Sequence, residues 1–341
     1  MPLRSLPSLN PRSFQAPALL HPPPRSTADS GKGREGSRGR DTRRKRRSRA
    51  RANAYLGRGL RDPATAMAPL RFAANLSWLF SEQGPALSAR LDAAARAGFK
   101  VAEVAWPYAE PAAQLAAAAQ AAGVRLVLLN TPPGATDLGE LGLGAVPGRQ
   151  DAFREGLELA VAYARELGCP QVHLMAGRIP KGAERSAVAR DMEAVFMENL
   201  RHAADVLARE NLVGLVEPIN SRLTDPLYFL DTPEQAAAIL RQVDRPNLRL
   251  QLDVFHWQIM GGNLTANIRA FLPLIGHVQV AQVPDRGEPD SPGELNFPYL
   301  FQLLEELGYT GYVGCEYRPR GDTNEGLGWL RTYWESRGGQ R

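Results

Sequence analysis

Cysteine is nearly absent. Cys169 and Cys315 are the only two in 341 residues, too few for a disulfide scaffold or a four-cysteine zinc site, and such usage fits a reducing compartment. Lysine is scarce as well, with Lys32, Lys45, Lys100 and Lys181 in the whole chain. Schiff-base chemistry needs a lysine in the site. Lys100 falls at the start of an expected strand and Lys181 in a loop, so that chemistry has little to work with. No apolar run approaches the ~18 residues of a membrane span. With 44% hydrophobic and 23% charged residues, the chain can bury one large core or two small ones.

The formal net charge of +5 is unevenly spread. Residues 1–66 hold 16 of the 41 Lys+Arg and 4 of the 36 Asp+Glu, so residues 67–341 carry 25 bases against 32 acids. The barrel-sized remainder is mildly acidic and gives no argument for nucleic acid. The first 66 residues are rich in Pro, Ser and Arg, include Arg43-Arg44-Lys45-Arg46-Arg47, and lack a hydrophobic period. Such a segment buries too little apolar area to offset chain entropy and is expected to be disordered. It reads as upstream sequence in frame with a start at Met67, as a transit peptide, or as a nuclear-localisation or nucleic-acid arm. The expected location is cytoplasmic, or mitochondrial if the segment is a true transit peptide.

After Met67, short β-prone runs alternate with amphipathic Ala/Leu-rich stretches. Strands are expected at 70–75, 101–106, 125–130, 171–175, 213–217, 248–253, 277–282 and 311–316. Helical patterns lie near 86–98, 111–122, 150–168, 186–210, 232–242, 264–273, 297–308 and 323–336. Glycine stops follow several of them, and Asp231-Thr232-Pro233-Glu234 reads as a helix start. Eight such units predict an α/β fold, the (β/α)8 barrel. A doubly wound sheet usually carries a Gly-rich phosphate turn after its first strand. Asn75-Leu76-Ser77-Trp78 stands there instead, so no nucleotide cofactor is expected.

Reacting groups of such barrels project from the C-terminal strand ends. These ends are polar here: Asn130 on strand three, His173 on four with Arg178 beyond it, and Glu217 on five followed by Asn220 and Arg222. Strand six ends in Asp253 and His256, strand seven carries Gln279 and Gln282, and strand eight ends in Glu316, Tyr317 and Arg318. Glu217, Asp253, Gln279 and Glu316 occupy consecutive strands and can converge. Clustered carboxylates repel, and an all-oxygen set suits Mg²⁺ or Mn²⁺. Taken singly, each has a plainer reading. A strand-end glutamate can be a salt-bridge partner, Asp253 can cap a turn, Gln279 can pair with backbone, and His256 can be a core histidine. Cys315 should face the helices, because it alternates with Glu316.

The strings Asn75-Leu76-Ser77-Trp78, Glu103-Val104-Ala105-Trp106, Asn130-Thr131-Pro132-Pro133, His173 to Arg178, Glu217-Pro218-Ile219-Asn220, Asp253-Val254-Phe255-His256, Gly276 to Pro284 and Gly314-Cys315-Glu316-Tyr317 carry a resemblance. Residues 67–341 resemble the hydroxypyruvate isomerases of the xylose-isomerase-like barrel superfamily, which also holds tagatose/psicose 3-epimerases and endonuclease IV. The resemblance implies interconversion of hydroxypyruvate and 2-hydroxy-3-oxopropanoate, with Glu217 and Glu316 as proton donor and acceptor. The epimerases' metal set of Glu, Asp, His and Glu becomes Glu217, Asp253, Gln279 and Glu316, a weaker set because an amide oxygen replaces an imidazole. Their histidine three residues after the Asp matches His256.

Moving a proton between adjacent carbons through an enediol requires an acid, a base and positive charge near two oxygens. The substrate carboxylate needs a fork such as Arg178, Arg222 or Arg318. His173, His256, Asn130 and Trp106 complete the expected substrate site, and Trp78 and Trp106 either cover the substrate or pack the core. The expected partner is a small hydroxy-oxo acid, with no membrane and no nucleic acid, and a homo-oligomer is left open. Two rival readings are a sugar epimerase or isomerase on the same barrel, and a non-catalytic barrel whose basic arm binds RNA. An endonuclease would need a multi-zinc cluster, and residues 67–341 hold only His173, His202, His256 and His277.

Overall fold

The computed structural model describes residues 68–338. The expected disordered extension, residues 1–66, lies outside them.

Among the described residues, eight strands form one closed parallel barrel in chain order. They are β1 Arg71–Asn75, β2 Val101–Val104, β3 Arg125–Asn130, β4 Gln171–His173, β5 Val213–Val216, β6 Leu248–Asp253, β7 Ile275–Val280 and β8 Tyr312–Cys315. Closure is made by β1 against β8, with Arg71 opposite Tyr312 and Ala74 opposite Cys315. Helices cover the outside: α1 Leu87–Arg96, α2 Ala112–Ala122, α3 Gln150–Leu167, α4 Arg185–Arg209, α5 Pro233–Val243, α6 Val254–Met260, α7 Leu264–Phe271, α8 Phe297–Glu306 and α9 Gly328–Ser336.

Local chemistry explains the boundaries. In α3 the buried residues Phe153, Leu157, Ala160, Val161 and Ala164 make a single stripe against the sheet. The helix ends at Gly168 in the left-handed conformation, φ 60°. The Thr232 hydroxyl accepts from the Gln235 N–H at the start of α5, with Pro233 in the first turn. The short α6 was not expected. The Asp253 carboxylate accepts from the Phe255 N–H at 2.8 Å and starts that helix directly at the strand end. Strands β2, β4 and β5 are shorter than expected, so Trp106, Met175 and Glu217 stand just past the sheet.

Strand alternation separates the lumen from the helix layer. Cys315 is fully buried in the main apolar cluster, as its position beside Glu316 implied. Ala73, Val127 and Tyr312 pack together inside the N-terminal end, and the guanidinium groups of Arg71 and Arg125 lie over the Tyr312 ring. Above this apolar plug the lumen turns polar, with Glu103, Gln251, His277 and Gln279 all buried. Glycine at position 314 makes room for that layer, because a Cβ there would collide with the Glu103 carboxylate.

Gly314→Ala should therefore destabilise the barrel by roughly 1–3 kcal/mol, the scale of an overpacked core. Denaturant unfolding checks this, and the penalty should shrink in a Glu103→Ala background because the two changes share one space.

Candidate active site

The C-terminal strand ends bring the expected acids together. A small cavity of about 20 Å³, room for roughly one water, is lined by Glu217, Glu316, Gln279, Gln251, Glu103 and Asn130. A larger one of about 690 Å³ lies beneath the barrel against α2 and the end of α3, among Lys100, Arg125 and Arg165, remote from these groups.

Asp253 divides its work. One oxygen caps α6, and Oδ2 accepts from Arg286 Nη2 at 3.1 Å. The same Nη2 donates to Glu316 Oε2 at 3.1 Å. The Arg286 guanidinium lies between the rings of Trp78 and Phe255, 5.0 and 4.8 Å from their centroids. It occupies the loop after β7 at φ 55°, a left-handed conformation unusual for a side chain of this size. Its carbonyl accepts from the Arg318 N–H, and the loop is laced by the buried amide of Gln282, which donates to three carbonyls and accepts from Val283 and Leu295.

Below the acids runs a chain of amides. Glu103 accepts from Asn75 and Gln279 at 2.8 Å each and faces His277 Nε2 at 2.7 Å. The Gln279 oxygen accepts from Gln251 Nε2 at 2.6 Å, and the same nitrogen donates to Glu217 Oε2 at 2.9 Å. His173 Nδ1 lies 3.5 Å from Glu217 Oε2. His256 Nε2 lies 3.5 Å from Asp253 Oδ2 and 3.7 Å from Glu217 Oε1.

Sequence reasoning named three arginines, and the structure places them around the mouth. Arg178 pairs with Asp225 at 2.6 Å and holds the Gly139 carbonyl, tying two loops together. Arg222 is exposed and donates to the Ile259 carbonyl, and the Arg318 side chain is exposed. The arginine among the carboxylates is Arg286, in a loop with no motif to announce it. Gln251 and Glu103 were also missed. Gln251 could have been found by period, since it stands two residues before Asp253 on the same face. Asn130 lines the small cavity and its carbonyl accepts from the Tyr108 hydroxyl. Trp106 is half-buried beyond β2.

The electrostatics follow from burial. Glu217 is held well above the usual carboxylate range by desolvation, then by Glu316 and Asp253, with Arg286 opposing. Burial pushes Glu316 up to about 8, against the pull of Arg286. Burial also lowers His173 and His256 to about 3, so both imidazoles are neutral at neutral pH. The two acids are coupled, and both carboxyls are shifted upward.

The residues present fit a divalent cation. Three carboxylates, Glu217, Asp253 and Glu316, meet one guanidinium, which leaves negative charge to neutralise. Ligating atoms of Glu217, Asp253 and His256 lie within 4.8 Å of one another. Gln279, expected in this set, has its oxygen turned to Gln251.

Because Glu217 and Glu316 bind protons more tightly than the ordinary 4.5, the folded chain holds more protons than the unfolded one above that pH. The contribution of Glu316 to stability is complete below about pH 4.5 and is lost as pH rises through about 8, and that of Glu217 runs in the same direction. In chelator, the thermal midpoint should fall across that window and Glu316→Gln should flatten the fall. An unchanged slope in the variant would contradict the assignment.

Known proteins match this chain over the barrel. The family model described as xylose isomerase-like TIM barrel matches residues 91–333. A human protein named "Putative hydroxypyruvate isomerase" is 72% identical over 272 residues, covering 80% of this chain and 98% of that protein. A 2-oxo-tetronate isomerase from Cupriavidus necator is 44% identical, covering 77% of this chain and 98% of that one. Among solved structures, one titled AP endonuclease, family 2 from Brucella melitensis superposes with a TM-score of 0.73 at 44% identity, covering 77% and 99% of the two chains. A D-psicose 3-epimerase from Clostridium cellulolyticum shares the fold at a TM-score of 0.61 and 19% identity, covering 79% and 96%. With its closed parallel barrel and acid-lined strand ends, the chain belongs to the xylose isomerase-like TIM barrel family.

Proposed function

We propose that the chain is an isomerase interconverting hydroxypyruvate and 2-hydroxy-3-oxopropanoate through an enediol. The observation that carries the reading is the pair of glutamates, Glu217 buried and Glu316 partly buried, both holding protons above the usual carboxylate range and both lining one cavity. One takes the proton from the hydroxyl-bearing carbon, and the other delivers one to the neighbouring carbonyl carbon. Arg286 supplies fixed positive charge beside them for the developing oxyanion and the substrate carboxylate. The half-buried ring of Trp78 lies against the Arg286 guanidinium, 5.0 Å from ring centroid to Cζ. A divalent cation held by Glu217, Asp253 and Glu316 would add Lewis-acid polarisation of the two substrate oxygens. The relatives' names support a short oxo acid, and the 2-oxo-tetronate isomerases make a four-carbon acid the natural competitor in a substrate panel.

The chain beginning at Met67 should turn over as the full chain does, since relatives are matched over nearly their whole length by about 80% of this chain. Glu217→Gln and Glu316→Gln should each lower turnover by at least ~10²-fold. The double variant should be little worse than the poorer single one, because the residues act as one unit. Product formed in D₂O should carry deuterium at the new carbon–hydrogen bond. Near-normal turnover in both single variants would remove the two-glutamate mechanism, and full retention of substrate hydrogen would replace it with a hydride shift or a single shuttling base.

A further inference from the structure

Glu103, on β2 in the floor of the lumen, is buried. Its Oε1 receives two amides, Asn75 Nδ2 and Gln279 Nε2 at 2.8 Å each, and its Oε2 faces His277 Nε2 at 2.7 Å. The Asn75 amide has no choice of orientation. Its oxygen accepts from the Ser77 N–H at 3.0 Å, so its nitrogen faces Glu103 and makes Oε1 an acceptor. From Oε1 a chain of hydrogen bonds runs upward. Gln279 gives its nitrogen to Glu103 and turns its oxygen to Gln251 Nε2 at 2.6 Å. The same Gln251 nitrogen donates its second proton to Glu217 Oε2 at 2.9 Å.

We propose that Glu103 is a positioning residue: it sets the direction of the chain through Gln279 and Gln251, which holds Glu217 by Oε2 and leaves Oε1 to the reacting centre. The role toward substrate rests on the isomerase reading above; the direction of the chain does not. Two features fix that direction. Turned the other way, Gln279 would set its oxygen against Glu103 Oε1, and Gln251 would set its oxygen against Glu217 Oε2. Both glutamates would then have to carry a proton at those atoms, whereas the observed direction requires neither. The second feature is Gln251 itself. Its oxygen is buried, and no donor among the described residues reaches it. Reversal would put the NH₂ group there and strand two N–H donors in place of one acceptor.

Held at Oε2, Glu217 cannot exchange its two oxygens by rotation without breaking the Gln251 contact. Its Oε1 stands 3.7 Å from His256 Nε2, which itself lies 3.5 Å from Asp253 Oδ2. A proton-transfer group works only while its reacting oxygen stays within hydrogen-bond reach of the substrate carbon. The links between the two glutamates are neutral, so Glu103 orients Glu217 without placing another charge between them. Each amide is polarised by the carboxylate behind it, which strengthens the next N–H in the chain.

Neutron diffraction from crystals of the full chain exchanged into D₂O reads the direction. Deuterons are expected on the Gln279 atom that faces Glu103 and on the Gln251 atom that faces Glu217. Deuterons on the Gln279 atom that faces Gln251 would overturn the proposal whatever the enzyme turns over. The positioning role is read by two substitutions that both remove the Glu103 charge. Glu103→Gln keeps an oxygen for the Asn75 and Gln279 N–H groups, and Glu103→Met keeps none. On hydroxypyruvate, kcat of the Met variant should lie at least ~10-fold below that of the Gln variant, with KM within about two-fold. A purely structural role would lower the unfolding midpoint without splitting the constants in this way, and equal kcat in the two folded variants would overturn the positioning role. If Glu103→Met does not fold, Gln279→Met cuts the same chain one link later, and a kcat within about two-fold of the unaltered chain would overturn the role there. If the deuterons lie as expected and the unaltered chain does not turn over hydroxypyruvate, the functional reading fails and the direction of the chain stands.

Discussion

Buried negative charge is the constraint from which the centre of this molecule follows. Glu103, Glu217 and Asp253 are all buried within the barrel, and Glu316 stands at its rim. Unpaired carboxylates are expensive in such surroundings. The protein answers at two levels. In the floor, Glu103 is saturated by neutral amides and an imidazole nitrogen from β1 and β7. At the rim, Glu217, Asp253 and Glu316 share a single guanidinium and are left under-compensated. The lower level is structural and complete. The upper level is incompletely paired, and the proposed proton transfer would draw on that imbalance.

Rigidity at the upper level comes from amides whose orientation has no freedom. Gln279 is fixed by Glu103, Gln251 bridges Gln279 and Glu217, Gln282 fastens the loop that carries Arg286, and Asn220 fastens the loop after β5 to His256. Each amide is oriented by a partner that can only accept or only donate. This passes orientation from backbone to reactive group without adding charge to an already charged centre. The left-handed backbone at Arg286 is held in the same way, since its carbonyl anchors the chain beyond β8.

The barrel and its register of acids were legible in the one-dimensional pattern. Alternating apolar runs and Ala/Leu-rich stretches located all eight strands, because parallel strands buried on both faces read as continuous β-prone segments. Glu217, Asp253, Gln279 and Glu316 were found because strand ends of such a barrel share one face. Glu103 escaped because a single polar residue inside a strand looks the same whether it turns to the lumen or to the sheet edge, whereas Gln251 carried a signal in its two-residue spacing from Asp253. The short α6 escaped because Asp253 was weighed as a ligand or as a cap, and its carboxylate both starts the helix and pairs with Arg286.

What the sequence by itself determined was the architecture, through hydrophobic period and helix punctuation, and the chemical type of the site, through acids at consecutive strand ends. What only the tertiary structure decided was which cation faces those acids and how the neutral groups point. Arg178, Arg222 and Arg318 were equal to Arg286 as loop arginines in one dimension. A guanidinium is assigned by where a loop folds back, and that path is set by the contacts of Gln282 within the loop and by the Arg318 N–H on the Arg286 carbonyl. The orientation of the Asn220 amide is likewise invisible in the string of residues, because it depends on which end of the side chain two backbone N–H groups select.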